Sequence, residues 1–269
     1  MGDFFGFAQE LLEKGRARVG DPYAHAELYD LLNQSVRDDQ FYVQFARDRG
    51  GRVLDLACGS GRLLPDLLEA GLEVAGLDLA PAMLTRARER LGARAASVEL
   101  VLGDMRSFSF ARPFDTIIIP YCSMIYMHSD QDRLAVLQSC SQQLKEGGWL
   151  AFDFLVGQVE LGESVPTLAL QGVNPFTEEI LVSVVQIKGL APDLRLLNQI
   201  NYVHPKGPEP AQVVVYASRE AVVIPERMVQ LLSEAGFEAE GVYSGSAMQA
   251  YAGGEECLII ARKRTVRRG

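Results

Sequence analysis

Val53-Leu54-Asp55-Leu56-Ala57-Cys58-Gly59-Ser60-Gly61-Arg62-Leu63 is the stretch that decides the fold of this chain. The apolar run Val53, Leu54, Leu56 ends in a glycine turn marked by an acid, and Leu63, Leu64, Leu67 and Leu68 follow at helical spacing. That order is a buried strand, a tight turn and a helix N-terminus, the arrangement by which α/β proteins cradle nucleotide-like ligands. Gly59 and Gly61 are expected to let backbone approach such a ligand with no Cβ in the way. The third glycine of the dinucleotide fingerprint is missing, because the register Gly59-x-Gly61-x-x places Leu64 there. Asp55, inside the strand end, would repel a pyrophosphate and attract an ammonium group. The turn therefore suits a cationic amino-acid nucleoside better than NAD.

The pattern continues in both directions. Val74-Ala75-Gly76-Leu77-Asp78 reads as a second strand closing on an acid, with a helix opening at Pro81-Ala82-Met83-Leu84. Asp78 lies seventeen residues after Gly61, about the separation at which a second strand presents a carboxylate to ribose hydroxyls. A third apolar run (Val98, Leu100, Val101, Leu102) leads into Gly103-Asp104-Met105-Arg106. Residues 114–119 read as a fourth strand, 130–144 as a helix with Leu134, Leu137, Ser141 and Leu144 on one face, and 144–152 as a turn and fifth strand. Strands and helices alternating to about residue 154 argue for a parallel, doubly wound sheet.

These elements, in this order, resemble the class I S-adenosylmethionine (SAM) dependent methyltransferases over residues 23–154, with a weaker echo at 225–263. Within that superfamily the chain is most similar to small-molecule N-methyltransferases of the glycine N-methyltransferase and amino-sugar dimethyltransferase kind. Tyr23, Tyr29, Arg37 and the segment Pro120-Tyr121-Cys122-Ser123-Met124-Ile125-Tyr126 carry this closer likeness. Tyr126 stands where those relatives often have histidine. The resemblance implies a Rossmann-like seven-stranded sheet whose final strand is antiparallel, with SAM as cofactor and S-adenosylhomocysteine as product. It implies a cofactor site of Tyr29, Arg37, Asp55, Ala57, Cys58, Gly59, Gly61, Asp78, Leu79, Met83, Asp104, Met105 and Pro120. In it Asp78 holds the ribose hydroxyls, Leu79 covers the adenine, Asp104 reaches the adenine amino group and Arg37 pairs with the SAM carboxylate.

Methyl transfer from a sulfonium needs alignment and exclusion of water more than a conspicuous catalytic dyad, and no dyad is visible. Tyr126, His128 and Tyr23 are the candidates for the catalytic end. Asp153, at the end of the fifth strand, is a candidate to attract a protonated amine, and His25 precedes the core. His204, beside Pro205, reads as a surface residue. An ordinary strand-to-helix turn, an N-capping aspartate and half-buried packing tyrosines are the plain alternatives for these positions.

After residue 154 the pattern changes. Residues 180–187, 194–203 and 212–220 suit antiparallel strands separated by Gly- and Pro-rich turns, read here as an inserted lid over the cofactor edge. The alternative is an extension of the main sheet. Pro225-Glu226 opens a helix at its favoured first positions, and 237–243 with 257–262 form a closing hairpin. The expected division is 1–50 as a helical cap, 51–154 as the SAM-binding core, 155–224 as the inserted antiparallel β segment, and 225–269 as the closing helix and hairpin.

The 269 residues are 48% hydrophobic and 23% charged, an ordinary globular composition. A net charge of −9 argues against a nucleic-acid partner, which needs a basic footprint. The basic tail at 262–268 reads as a solvated end. There is no apolar run long enough to span a membrane and no basic-then-apolar leader pattern. Cys58, Cys122, Cys140 and Cys257 lack metal-ligand spacing, so no metal site is expected and a reduced, cytoplasmic setting is. The expected partner is a small-molecule methyl acceptor, an amine before a hydroxyl, and the sequence leaves room for a homodimer. A methyltransferase for a protein or an oxygen nucleophile, and a SAM-binding sensor without catalysis, stay open as alternatives.

Overall fold

The structure, a computed structural model, describes residues 2–21, 23, 30, 39–174 and 177–265. It divides into two units, Ser35–Gly157 with Val222–Gly269, and Met1–Gln34 with Gln158–Ala221.

The larger unit is built on the parallel sheet that the apolar runs predict. Its strands are β2 (Arg52–Leu56), β3 (Glu73–Asp78), β4 (Val98–Leu102), β5 (Phe114–Ile119), β6 (Leu144–Leu155), β12 (Phe237–Tyr243) and β13 (Glu256–Lys263). They lie in the order β12-β13-β6-β5-β2-β3-β4. β2 pairs in parallel with β3 and β5, and β13 runs antiparallel between β6 and β12. The chain travels outward from β2 to β4 and then returns to the other side of β2. The crevice at the carboxyl ends of β2 and β5 is therefore the topological switch point, where open α/β sheets bind ligands.

Helices cover both faces of this sheet: α2 (Asp39–Arg49), α3 (Leu64–Glu69) and α4 (Pro81–Leu91) on one, α5 (Asp130–Gln143) and α6 (Pro225–Glu234) on the other. All five residues of β2 are buried, and they alternate between the two cores: Val53 faces α2 to α4, while Leu54 and Leu56 face α5 and α6. That is why the strand reads as an unbroken apolar run instead of an alternating one. On α5 the buried stripe is Arg133, Val136, Leu137 and Cys140, turned from the expected face, and Leu144 already belongs to β6.

The smaller unit holds α1 (Gly6–Glu13) and a second, separate sheet of six strands. These are β1 (Arg18–Val19), β7 (Gly162–Glu163), β8 (Thr167–Val173), β9 (Ile180–Ala191), β10 (Leu194–His204) and β11 (Gln212–Ala221). The antiparallel β9-β10-β11 core matches the three runs that the sequence marks. β1, β7 and β8 were not legible, because β1 and β7 have two residues each and β8 is exposed along almost its whole length. The N-terminal stretch does not stand apart as a cap of helices: α1 and β1 join this sheet, β1 pairing with β11, while α2 packs in the larger unit. α1 has no cap of its own. The Phe5 and Phe7 amides donate instead to Asn198 Oδ1 and Gln186 Oε1, each at 3.0 Å, which satisfies helix-end donors from a distant strand pair.

Candidate cofactor and acceptor site

The glycine turn is wound from left-handed backbone. Ala57 has φ 63°, Gly59 φ 54° and Gly61 φ 73°. A left-handed alanine costs about 1–3 kcal/mol, a strain that folds retain mainly at functional turns. The turn is tied to β3: the Cys58 amide donates to the Leu77 carbonyl at 2.9 Å, and the Gly59 amide to Asp78 Oδ2 at 2.8 Å. Its two glycines serve different ends. A Cβ on Gly59 would meet nothing within 4 Å, so that position faces open space. A Cβ on Gly61 would lie 2.8 Å from the Ala87 Cβ and 2.9 Å from Leu64 Cδ1. Gly61 therefore lets α4 pack close, which corrects its expected role as an open face toward the ligand. Cys58 is buried with its sulfur against Gly76, and burial pushes its thiol well up. Only its backbone can serve a ligand.

Two acids flank the turn. Asp55 is 1% exposed and its Oδ1 has no hydrogen-bond partner. Burial pushes its carboxyl up to about 7; Arg62 pulls it down, while Asp78 and Asp39 push it further up. A desolvated carboxylate with an unused oxygen is a receptor for a cation. Asp78 receives the Gly59 amide on one oxygen and the Ala80 amide, also at 2.8 Å, on the other. Burial raises its carboxyl and those amides oppose the rise. The Leu79 amide also bears on this carboxyl, and the acceptor capacity that remains is what a hydroxyl would meet. Asp78 is thus the clasp of the turn as well as a ligand candidate, a dual use that the spacing alone does not disclose.

Leu79 is 70% exposed, and Leu102, the register partner of Asp78 on β4, is 57% exposed. Exposed leucines on adjoining strand ends make an apolar shelf for a ring. Asp104 is engaged otherwise than expected. Arg106 grips it with Nε at 3.1 Å and Nη2 at 2.7 Å, reaches Asp132 at 3.0 Å, and holds the Asp104 carboxyl below its usual range. Met83 (1% exposed), Met105 and Pro120 are buried. The expected ligand contacts of the two methionine side chains are corrected accordingly: both are core groups, because each lies on the inward face of its segment.

The loop after β5 carries two consecutive left-handed residues, Tyr121 (φ 62°) and Cys122 (φ 52°). Asp153 holds them. Its Oδ2 accepts the Cys122 amide at 2.8 Å, and its Oδ1 accepts the Tyr42 hydroxyl at 2.5 Å. Asp153 is 7% exposed and committed inward, so it is not the amine-attracting acid that its place on the strand suggests. A 3-10 turn over Ser123–Tyr126 follows, with Met124 buried and Tyr126 40% exposed. His128 is exposed beside Ser129, the N-cap of α5, whose Oγ accepts the Asp132 amide at 3.1 Å. Tyr126 and His128 thus stand together after β5. Tyr23 belongs to the smaller unit and is half-buried, its amide donating to Asp21 Oδ1 at 2.9 Å. Tyr29, Arg37 and His25 lie outside the described residues.

Sequence reasoning passed over Leu102, Tyr42 and Arg62. The Arg62 guanidinium pairs with Asp39 at 3.1 Å and lies 5.2 Å from the centre of the Tyr121 ring. Its place directly after the second glycine was the available signal.

The sheet order and the antiparallel penultimate strand define a class I methyltransferase-type fold, with Asp55, Gly59 and Asp78 at its switch point. Residues 53–148 match the family described as "Methyltransferase domain". Over 132 residues it is 30% identical to the dTDP-3-amino-3,4,6-trideoxy-alpha-D-glucopyranose N,N-dimethyltransferase of Streptomyces venezuelae, covering 46% of this chain and 54% of that one. Over 149 residues it is 31% identical to the dTDP-4-amino-2,3,4,6-tetradeoxy-D-glucose N,N-dimethyltransferase of Saccharopolyspora spinosa, covering 49% and 58%. The matches thus span about half the length of these relatives. In fold it is similar to the crystal structure of a SAM-dependent methyltransferase from Clostridium acetobutylicum ATCC 824, with a TM-score of 0.73 at 18% identity, covering 89% of this chain and 97% of that one.

Proposed function

We propose that this protein is a SAM-dependent methyltransferase that acts on a small molecule, at an amine nitrogen. The observation that carries the cofactor half is the buried Asp55 carboxylate, its Oδ1 unpartnered, beside the open face of Gly59. SAM offers an ammonium to such a group. Bound SAM supplies a methyl on a sulfonium, already a good leaving group. The chain's own work is then to hold and align. Asp55 receives the ammonium, and the remaining acceptor capacity of Asp78 takes the ribose hydroxyls. Leu79 and Leu102 cover the base. Asp104 serves the adenine amino group only if Arg106 shares it. Tyr29 and Arg37 stay as further cofactor candidates on the resemblance alone.

The acceptor half rests on the likeness to two enzymes named for N,N-dimethylation of amino-bearing sugars, and on the net charge of −9, which disfavours nucleic acid. Tyr126 and His128, both exposed after β5, support this reading as candidates to meet an acceptor, and Tyr23 is a candidate from the sequence alone. Aromatic faces tolerate the positive charge that grows on a nitrogen as it takes a methyl. Four free cysteines fit a reduced cytoplasmic setting. Among the described residues no helix is long and apolar enough to cross a membrane. A homodimer is supported by the apolar side chains left exposed along β7 to β9, namely Leu161, Val165, Leu168, Val173 and Ile180.

Turnover of methyl-labelled SAM against paired panels of small amines and their hydroxyl analogues tests the reading. Label transfer to amines is the expected result; transfer only to hydroxyls or proteins would overturn the acceptor assignment. Tight SAM binding with no transfer to any panel would favour the sensor.

A further inference from the structure

The amino-acid end of SAM is a zwitterion, and a site that seats its ammonium on Asp55 still needs a cation for its carboxylate. We propose that Arg62 is that cation, so that the site selects a cofactor with its carboxylate intact. The inference rests on the SAM reading above and assigns the carboxylate to a residue of the glycine turn itself.

Three observations carry it. Arg62 directly follows Gly61, so its Cα is fixed by the same turn that exposes the ligand-facing side of Gly59. Among the described residues, Arg62 is the cation whose charge bears on Asp55, the other charges being the acids Asp78 and Asp39. The site is thus acidic overall, which matches a ligand carrying a sulfonium and an ammonium against one carboxylate. Lastly, the guanidinium is held ready. Its Nη2 lies 3.1 Å from Asp39 at the start of α2, and its plane sits 5.2 Å from the Tyr121 ring, which the Asp153-anchored left-handed turn keeps in place. A guanidinium has five N–H donors, and one ion pair leaves an edge able to receive a carboxylate side-on. Its side chain is 26% exposed, open enough to be reached and dry enough for the pair to count.

The test compares S-adenosylhomocysteine with its decarboxylated analogue, which keeps the ammonium and lacks the carboxylate, by calorimetry on the full chain. Wild type is expected to bind S-adenosylhomocysteine roughly ten- to a hundredfold more tightly, as loss of a charge-assisted hydrogen bond predicts. Arg62→Gln should erase that preference, and Arg62→Lys should keep part of it. Asp39→Asn, which removes the ion pair but not the guanidinium, should retain the preference. Equal binding of the two ligands by wild type overturns the proposal without any variant. So does an equal loss for both ligands in Arg62→Gln that Asp39→Asn reproduces, since that marks a structural latch. A carboxylate-selective loss in Arg37→Gln but not in Arg62→Gln also overturns it. Wild type that binds neither ligand defeats the SAM reading itself.

Discussion

Asp55 is a carboxyl that the fold keeps dry, with one oxygen unpartnered. Its folded pKa of about 7 lies above the roughly 3.9 of an unfolded chain. Between those values the folded, unliganded protein holds a proton that the unfolded chain has lost. Its contribution to stability therefore falls as pH rises from about 4 to about 7, and is level above that. An ammonium needs the ionised form, so S-adenosylhomocysteine should bind more tightly as pH rises toward 7, and at pH 6 binding should release about one proton. Calorimetry in two buffers of different ionisation heat measures that release; none at pH 6 would refute the assignment. Asp55→Asn should raise the melting temperature of the unliganded protein at pH 8 and abolish the upward shift that the ligand gives wild type. The two glycines separate in the same way. Gly61→Ala, pressed against Ala87, should cost about 1–3 kcal/mol by overpacking beyond the left-handed strain it shares with Gly59→Ala. Gly59→Ala should stay the more stable of the two yet lose more affinity. Melting curves beside titrations decide this, and equal effects on both readouts would sink the distinction. Asp55 and the glycine turn could be read from residue types and spacing. The inward commitment of Asp153 and the grip of Arg106 on Asp104 could not, since both depend on side chains brought from elsewhere.

Elements of the larger sheet were legible because each strand buried on both faces is a near-continuous apolar run. Their ends were sharp because glycine, proline and aspartate mark the turns. The loop after β5 was legible only as a motif. What keeps its two left-handed residues in place is Tyr42 on α2, which reaches Asp153 from far back in the chain. Tyr42→Phe would remove one hydroxyl donor from the buried Asp153 carboxylate, at a cost of about 1–3 kcal/mol. It should slow methyl transfer more than it weakens S-adenosylhomocysteine, because the loop carries Tyr126 while the cofactor acids sit on β2 and β3. A drop in cofactor affinity with unchanged turnover would contradict that order. Ser129→Ala should cost α5 about 1 kcal/mol through loss of its N-cap, read from denaturant unfolding. The edge strand β8 left no trace in the sequence, because its partner supplies backbone hydrogen bonds and no core face demands an apolar alternation.

At the scale of the whole molecule, the two cores of the larger unit draw only on its own segments, whereas the smaller unit buries Ala8, Leu11, Ile200 and Val215 as its cluster. Joining residue 157 to residue 222 by a short linker, with the N-terminal segment removed, should leave a domain that unfolds cooperatively. Failure of that domain to fold would show that the units depend on each other for stability. The sequence by itself determined the alternation of strands and helices in the larger unit and the acids at the strand ends, because those follow from local periodicity and from residues a few positions apart, while the cofactor was implied by resemblance. Only the tertiary structure decided which of those acids is free. It set Asp55 with an unused oxygen, gave Asp78 a second duty as clasp, spent Asp104 on Arg106 and Asp153 on Tyr42, and brought Arg62 between Asp39 and Tyr121. A side chain's partners are set by where distant segments meet, and no spacing along the chain records that meeting.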